Sequence, residues 1–484
     1  MHLSRRSLLA GTASLAVAPS ATRAAGGQKT LRLTTRVIEV GGKPATRYAV
    51  TQPSGAWGLA IDEGEAFDVR LENNLDVLSG LHWHGLNPPW REDGVPYISA
   101  PPIAPGKFVD YNFAAQPPGT RWMHSHFGLQ EQNLLAGPLI VRETSAIKSG
   151  IQEAVILLED FSWTKPSILF EELRKPKPAM SMAGGGMNMS GAGGMNISGS
   201  GGMNMSGGTM DGSKPDLNDI TYDAFLANHR TLADPQVFDV EKGAEVRLRI
   251  INGAASTNFL IDLGTIEGTV VTVDGNPVAP IKVQRFPLAV AQRVDIIVRM
   301  PSDGKAVPVL ARGEGRTLQT GVVLRPTGAA VPKILEVVEE AAPPLNLMDE
   351  MKLRAAQPYP SRPIDRSVPV DLTGNMASYS WGIEVNGMAG APVTVAKGER
   401  VELVMRNTTM MSHPMHLHGP SFQVTEINGQ SFAGAMRDTV LVTPRTTVKV
   451  VFDADNPGLW AFHCHNLYHM EAGMFTTLVY RGFT

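Results

Sequence analysis

Ten of the twelve histidines fall into four short clusters. His82 and His84 stand in HWHG, and His124 and His126 in HSH. His413, His416 and His418 stand in HPMHLHG, and His463, His465 and His469 in HCHNLYHMEAGM. Only His2 and His229 are left over. Neutral imidazole binds copper, zinc, iron or nickel. A zinc site uses about four ligands and the ion does not change oxidation state. Ten clustered histidines therefore point to several metal ions and to redox work. The last cluster narrows the metal. Cys464, the only cysteine, offers a thiolate, His413 and His469 offer imidazoles, and Met474 offers a weak thioether. Two histidines, a cysteine and an axial methionine make the ligand set of an electron-transfer copper site. HSH alone could be a surface pair, and a lone cysteine could be buried and inert. Four clusters with assignable tasks leave little room for a purely structural reading.

Such rings need rigid carriers. In a strand, residues i and i+2 share a face, so each His-X-His can present two imidazoles to one site. Cys464 then points away from His463 and His465, and one short peptide can serve a metal on each side. The chain reads as mostly strands: Phe67 to Leu71, Val246 to Ile251 and Val401 to Met405 are alternating or apolar runs punctuated by Gly, Pro, Asn and Asp. No series of periodic helices suggests a parallel α/β sheet. A threefold repeat is visible. DEGEAFDVRLENN from Asp62, EKGAEVRLRIING from Glu241 and AKGERVELVMRNT from Ala396 each place a Gly turn before a strand and end near Asn. PGKFVDYNF from Pro105, AQRVDIIVRM from Ala291 and PRTTVKVVF from Pro444 follow in the same order. Three similar β-sandwiches explain both sets.

At 484 residues, two to four domains are expected. Boundaries are expected near 148 and 330, giving units 26–148, 149–330 and 331–484. The last opens on a linker carrying Pro343, Pro344, Pro358 and Pro360. A net charge of −3 makes no electrostatic case for nucleic acid or an anionic membrane. Residues 1–25 read as an export signal: Arg5 and Arg6 precede an apolar run from Leu8 to Ala18, too short to span a bilayer. The paired arginines suggest the twin-arginine export machinery, and so a periplasmic protein without a membrane anchor. Residues of about 175–215 form an insertion rich in Gly, Ser, Asn and Met. It contains Met180, Met182, Met187, Met189, Met195, Met203, Met205 and Met210. Thioethers select Cu(I), so these are candidate cuprous sites; a spacer shielding an apolar substrate site is the alternative.

Taken together, LHWHG, EDGVP, HSHFGLQEQ, GPLIV, HPMHLHG and HCHNLYHMEAGMF resemble the three-domain bacterial multicopper oxidases, laccase-like and most similar to the periplasmic copper-resistance oxidases. The likeness spans essentially the whole chain after the signal. It implies an all-β protein of three cupredoxin-like Greek-key sandwiches holding four copper ions: one type 1, one type 2 and two type 3. Carried over by motif, His413, Cys464, His469 and Met474 match the type 1 ligands, and His82 and His416 the type 2 ligands. His84, His124, His126, His418, His463 and His465 match the type 3 ligands. The resemblance also implies oxidation of phenols or Cu(I), with electrons passing from Cys464 to His463 and His465 and dioxygen reduced to water, in a copper-tolerance role. Many bacterial relatives carry a carboxylate directly after the last type 1 histidine. Here Met470 stands there, with Glu471 next. Asp93, in REDGVP, resembles the family acid beside the type 2 copper and is the better candidate for proton delivery; Glu471 can serve only if its loop turns inward. A copper-storage protein without catalysis, and a copper nitrite reductase, are the competing readings.

Overall fold

A computed structural model of the chain describes residues 27–175 and 217–483. The segment expected to be an export signal and the methionines from Met180 to Met210 lie outside the described residues.

The threefold sequence repeat is the scaffold. Its first segments become strands Ala66–Asn73, Glu245–Asn252 and Arg400–Asn407. Its second become Phe108–Ala114, Arg293–Arg299 and Thr447–Asp453. In every copy the two pair antiparallel. On its other edge each first strand pairs in parallel with one earlier in the chain: Lys29–Val40, Gln152–Phe161 or Arg366–Asn375. Side chains of Ala66–Asn73 alternate outward and inward, the period-two signature of a half-buried strand.

The closing asparagine of each repeat has a common task. Asn73 Nδ2 donates to the carbonyls of Val77 and Ile103, Asn252 Nδ2 to Thr257 and Leu288, and Asn407 Nδ2 to Met411 and Val442. Each Oδ1 accepts a backbone N–H two residues on, from Leu75, Ala254 or Thr409. The side chain thus satisfies buried backbone groups where the chain leaves the sheet.

A second sheet faces each of these first sheets. Leu59–Asp62, Ala136–Arg142, Gly119–Ser125 and Leu81–His82 form one. Gln236–Val240, Gln319–Pro326, Val307–Gly313, Phe259–Asp262 and Arg285–Leu288 form the next. Val393–Val395, Phe475–Tyr480, Leu459–Cys464, His413–Leu417 and Thr439–Val442 form the last. Helices among the described residues are short, as at Pro166–Leu173 and Leu467–Glu471. The core of the first pair of sheets is its own cluster, centred on Phe67, Trp83 and Leu139, whereas those of the other two run together.

Buried ion pairs tie the three units. Arg293 is fully buried and pairs with Asp438, its Nη1 2.7 Å from Oδ1, while its Nε donates to the carbonyl of Thr120. Arg437 pairs with Glu350 and with Asp274. Arg247 and Arg249 share Asp295, whose Oδ1 accepts from the Thr120 hydroxyl.

Candidate metal centres

Two strand pairings bring the clusters together. His82 lies opposite His124, and His416 opposite His463. The carrier strands Gly119–Ser125 and His413–Leu417 are buried on both faces. In each His-X-His pair the first ring stands on a strand and the second just past its end: Leu81–His82, Gly119–Ser125, His413–Leu417 and Leu459–Cys464 stop at or before the second histidine. The second ring of each pair is therefore carried by the chain just past the strand rather than by the strand face itself. Both rings of each pair still reach one site, and His82 with His84, like His416 with His418, fall in a common group of donor atoms.

Eight rings converge in this way. His126 Nε2 lies 3.2 Å and His418 Nε2 3.1 Å from His463 Nε2. His124 Nε2 lies 3.3 Å from His465 Nε2 and 3.4 Å from His84 Nδ1. The His84 and His416 rings stack at 3.8 Å, and His82 and His418 lie 3.9 Å apart. His82 Nε2 and His416 Nε2 are buried without any hydrogen-bond partner. Burial first, then crowding by the other rings, pushes His84, His124, His126, His416, His418 and His465 well below the ordinary histidine range. Burial lowers His463 to about 4. Neutral rings with lone pairs aimed at one another, two of them orphaned, are what cations would satisfy.

The outward nitrogens are anchored. Asp93 lies 2.9 Å from His418 Nδ1 through Oδ2 and 3.1 Å from His82 Nδ1 through Oδ1. Gly94 lets that acid arrive: its φ is +80°, and a Cβ there would stand 2.0 Å from the Leu81 carbonyl oxygen. Asp438 Oδ1 lies 3.1 Å from His84 Nε2, and its carbonyl 2.8 Å from His416 Nδ1. Glu131 Oε2 lies 2.8 Å from His124 Nδ1. Burial, with Asp160 nearby, pushes the Glu131 carboxyl well above the usual carboxylate range.

The second donor set lies on the other face of the Cys464 strand. His413 Nδ1 and His469 Nδ1 are 3.1 Å apart, and Cys464 Sγ is 3.7 and 3.8 Å from them. His469 rides on Leu467–Glu471, whose first N–H groups are capped by Asn466 Oδ1. Met474 is fully buried, its N–H donating to the His469 carbonyl and its carbonyl accepting from Cys464 N–H. Thr409 Oγ1, 2.8 Å from His413 Nε2, and Asp219 Oδ2, 3.2 Å from His469 Nε2, hold the far sides. Trp381 covers His469 at 4.2 Å. Burial pushes the Cys464 thiol up, and a bound metal would displace its proton. Two imidazoles and one thiol around a small gap fit a single soft-to-borderline ion.

Multicopper oxidase family profiles match residues 34–146, 153–330 and 361–482. The chain is 34% identical over 425 residues to the multicopper oxidase MmcO of Mycobacterium tuberculosis, covering 86% of this chain and 80% of the relative. The chain belongs to the multicopper oxidase family. It is 28% identical to copper resistance protein A of Escherichia coli over 89% of each chain. The solved multi-copper oxidase from Pseudomonas thermotolerans shares its fold, with a TM-score of 0.66 over 94% of this chain and 99% of the other at 23% identity. The oxidase is thus an all-β protein of the cupredoxin class, and copper is the metal its family uses.

All ten clustered histidines, with Cys464 and Met474, lie in or against one of the two donor sets. So does Asp93. Glu471 does not: it is exposed at the end of Leu467–Glu471, while Met474, just past the turn at Gly473, is buried. Sequence reasoning missed Asp438, Glu131, Asp219 and Thr409. Glu131 stood within HSHFGLQEQ and Asp438 beside Thr439 in MRDTV, but nothing in their local patterns marks Glu131 as the partner of His124 or Asp438 as the partner of the distant His84.

Proposed function

We propose that this oxidase draws single electrons from a small donor at His413, Cys464, His469 and Met474, and passes them to the eight-histidine site for reduction of dioxygen to water. His413, Cys464, His469 and Met474 would hold a type 1 ion. His82 and His416 would hold a type 2 ion, and His84, His124, His126, His418, His463 and His465 a type 3 pair, four in all. Bound copper would supply reversible one-electron redox chemistry at the first site and a store for four electrons at the second.

The observation that carries this reading is the position of Cys464. Its sulfur belongs to one donor set while its two peptide neighbours, His463 and His465, belong to the other. An electron leaving the sulfur therefore has a covalent path of one residue to either group. Asp93, in contact with His82 and His418, is the acid placed to hand protons toward the larger site. Cys464→Ser should leave the fold intact, abolish blue absorbance, and stop oxygen uptake; full turnover in that variant would refute the route.

Cu(I) is the favoured donor, with phenols as alternatives. The named role of the copper-resistance relative supports it, as do the eight thioethers between Met180 and Met210. So does the chain on either side of that segment. Phe170 packs 6.3 Å from Tyr468, and Asp219 lies against His469, so both flanks stand beside the donor site. Burial pushes Asp219 up, but His469, together with hydrogen bonds from Asn466 and Tyr379, holds the carboxylate below its usual range. A buried acid there favours a cationic donor. Deleting residues 180–210 should slow Cu(I) oxidation more than phenol oxidation; equal kinetics with both donors would remove the delivery role. Periplasmic residence by twin-arginine export, from Arg5 and Arg6, and a part in copper tolerance complete the proposal. No helix among the described residues is long and apolar enough to cross a membrane.

A further inference from the structure

The buried carboxylate of Glu131 has no task in the reading above, yet it touches the site. We infer that Glu131 is a positioning residue that selects which edge of the His124 ring faces the His84–His124–His465 group and steadies His465 beside it; this rests on the assignment of those rings as copper ligands. Trp122 stacks on His124 at 4.2 Å with the planes 17° apart. Stacking fixes the plane of a ring but not its edge, because a half-turn about the Cβ–Cγ bond leaves the stack in place. The choice falls to hydrogen bonding. Glu131 Oε2 lies 2.8 Å from His124 Nδ1, closer than the Ser125 carbonyl at 3.2 Å, and so holds Nε2 inward. Oε1 has no hydrogen-bond partner and lies 3.9 Å from His465 Nδ1, on the outward side of the ring whose Nε2 meets His124.

The acid is held where it can do this. Glu131 opens the single turn Glu131–Asn133, closed by Leu134 N–H donating to its carbonyl. Gln130 on one side accepts from Ser79 and Ser125 and donates to the Leu78 carbonyl. Gln132 on the other donates to Asp160 and accepts from Tyr222. With both neighbours bonded, the carboxylate has little freedom to swing away. The opposite group is served differently, His418 by Asp93 and His463 by the Cys464 carbonyl. The His84–His124–His465 group thus has two carboxylates behind it, Glu131 on His124 and Asp438 on His84, and the opposite group has Asp93. Neutral or ionised, a carboxyl offers His124 an acceptor oxygen, so the role does not depend on its charge.

The test compares Glu131→Gln, which keeps an acceptor oxygen, with Glu131→Met, which keeps volume but not the acceptor, in the copper-loaded full chain. Copper per chain, the electron paramagnetic resonance spectrum (in which a coupled copper pair is silent) and the pH profile of oxygen uptake are read together. Partners behind metal-bound histidines typically contribute 10–100-fold in metal affinity or activity. Glu131→Met should fall by that order and show an added signal from an uncoupled ion, with its blue absorbance kept. Glu131→Gln should retain coupling and the wild-type pH profile. Wild-type coupling in Glu131→Met overturns the inference. So does a Glu131→Gln protein with intact coupling but lost turnover, which would make Glu131 a proton source instead. Should Glu131→Met not fold, Glu131→Gln decides alone by the same two readouts. Wild-type protein that binds no copper or consumes no oxygen would instead sink the underlying oxidase reading.

Discussion

Replacing Arg293 with methionine should destabilise the copper-free protein sharply. The guanidinium is fully buried, and it is the main countercharge for Asp438, which is nearly as buried. It also lies 3.8 Å from Asp274 and donates to the carbonyls of Thr120, Ala291 and Asp274. Methionine fills much of the volume but leaves Asp438 with the Thr439 hydroxyl, His84, His416 at 3.8 Å and Arg121 at 4.0 Å. Removing one partner of a buried pair costs about 3–5 kcal/mol, mostly because the remaining charge is stranded. At about 2.1 cal/mol/K of unfolding entropy per residue, that cost lowers the melting temperature by about 3–5 °C if the chain melts as one unit. If a single unit of about 150 residues melts alone, the same entropy gives roughly 10–15 °C. Scanning calorimetry of the metal-free protein reads this directly. The double variant with Asp438→Asn should recover part of the loss, because the stranded charge is gone, with a coupling energy of about 1–3 kcal/mol. A single variant melting within about 1 °C of wild type would refute the reasoning.

Two further outcomes follow from the same geometry. Below the ordinary histidine value of 6.5, the unfolded chain binds protons that the buried rings refuse, His463 down to about 4. Native stability of the metal-free protein is therefore fully present above pH 6.5 and lost as pH falls toward 4, by up to about 1.4 kcal/mol per pH unit for each ring kept neutral. Urea midpoints at pH 7.5 and 5 measure it, and equal midpoints would contradict it. Gly94→Ala should add roughly 1–2 kcal/mol of left-handed strain to a direct clash with the Leu81 carbonyl. Copper content should then fall, since Asp93 and His82 move together; full copper loading by atomic absorption would contradict it.

Much of this architecture is legible in the sequence because repetition reveals it. The Gly-turn, strand and Asn pattern marks one strand of each sandwich, and the recurring Asn reflects a recurring need to pair carbonyls where the chain leaves the sheet. The candidate metal ligands are legible because histidine and cysteine are scarce and their clustering is informative. The carrier strands are not: Gly119–Ser125 and His413–Leu417 are buried on both faces, so no alternation survives. Nor are the acids behind the rings. Asp438 and Asp219 reach histidines distant in sequence through the packing of separate elements, whereas Glu131 shares a motif with His124, but nothing in that motif says its side chain turns back to the ring. Asp93 could be proposed because it sits in a motif; Glu471, also proposed, is exposed at the end of its short helix, outside both donor sets.

The central claim is that dioxygen is reduced by four electrons at the eight-histidine site, fed through Cys464. The most direct measurement is the ratio of donor oxidised to oxygen consumed by the fully copper-loaded protein, with peroxide assayed in the same reaction. Four equivalents of a one-electron donor per dioxygen, without peroxide, is the predicted result. Two equivalents with stoichiometric hydrogen peroxide, or donor oxidation without oxygen uptake, would contradict it.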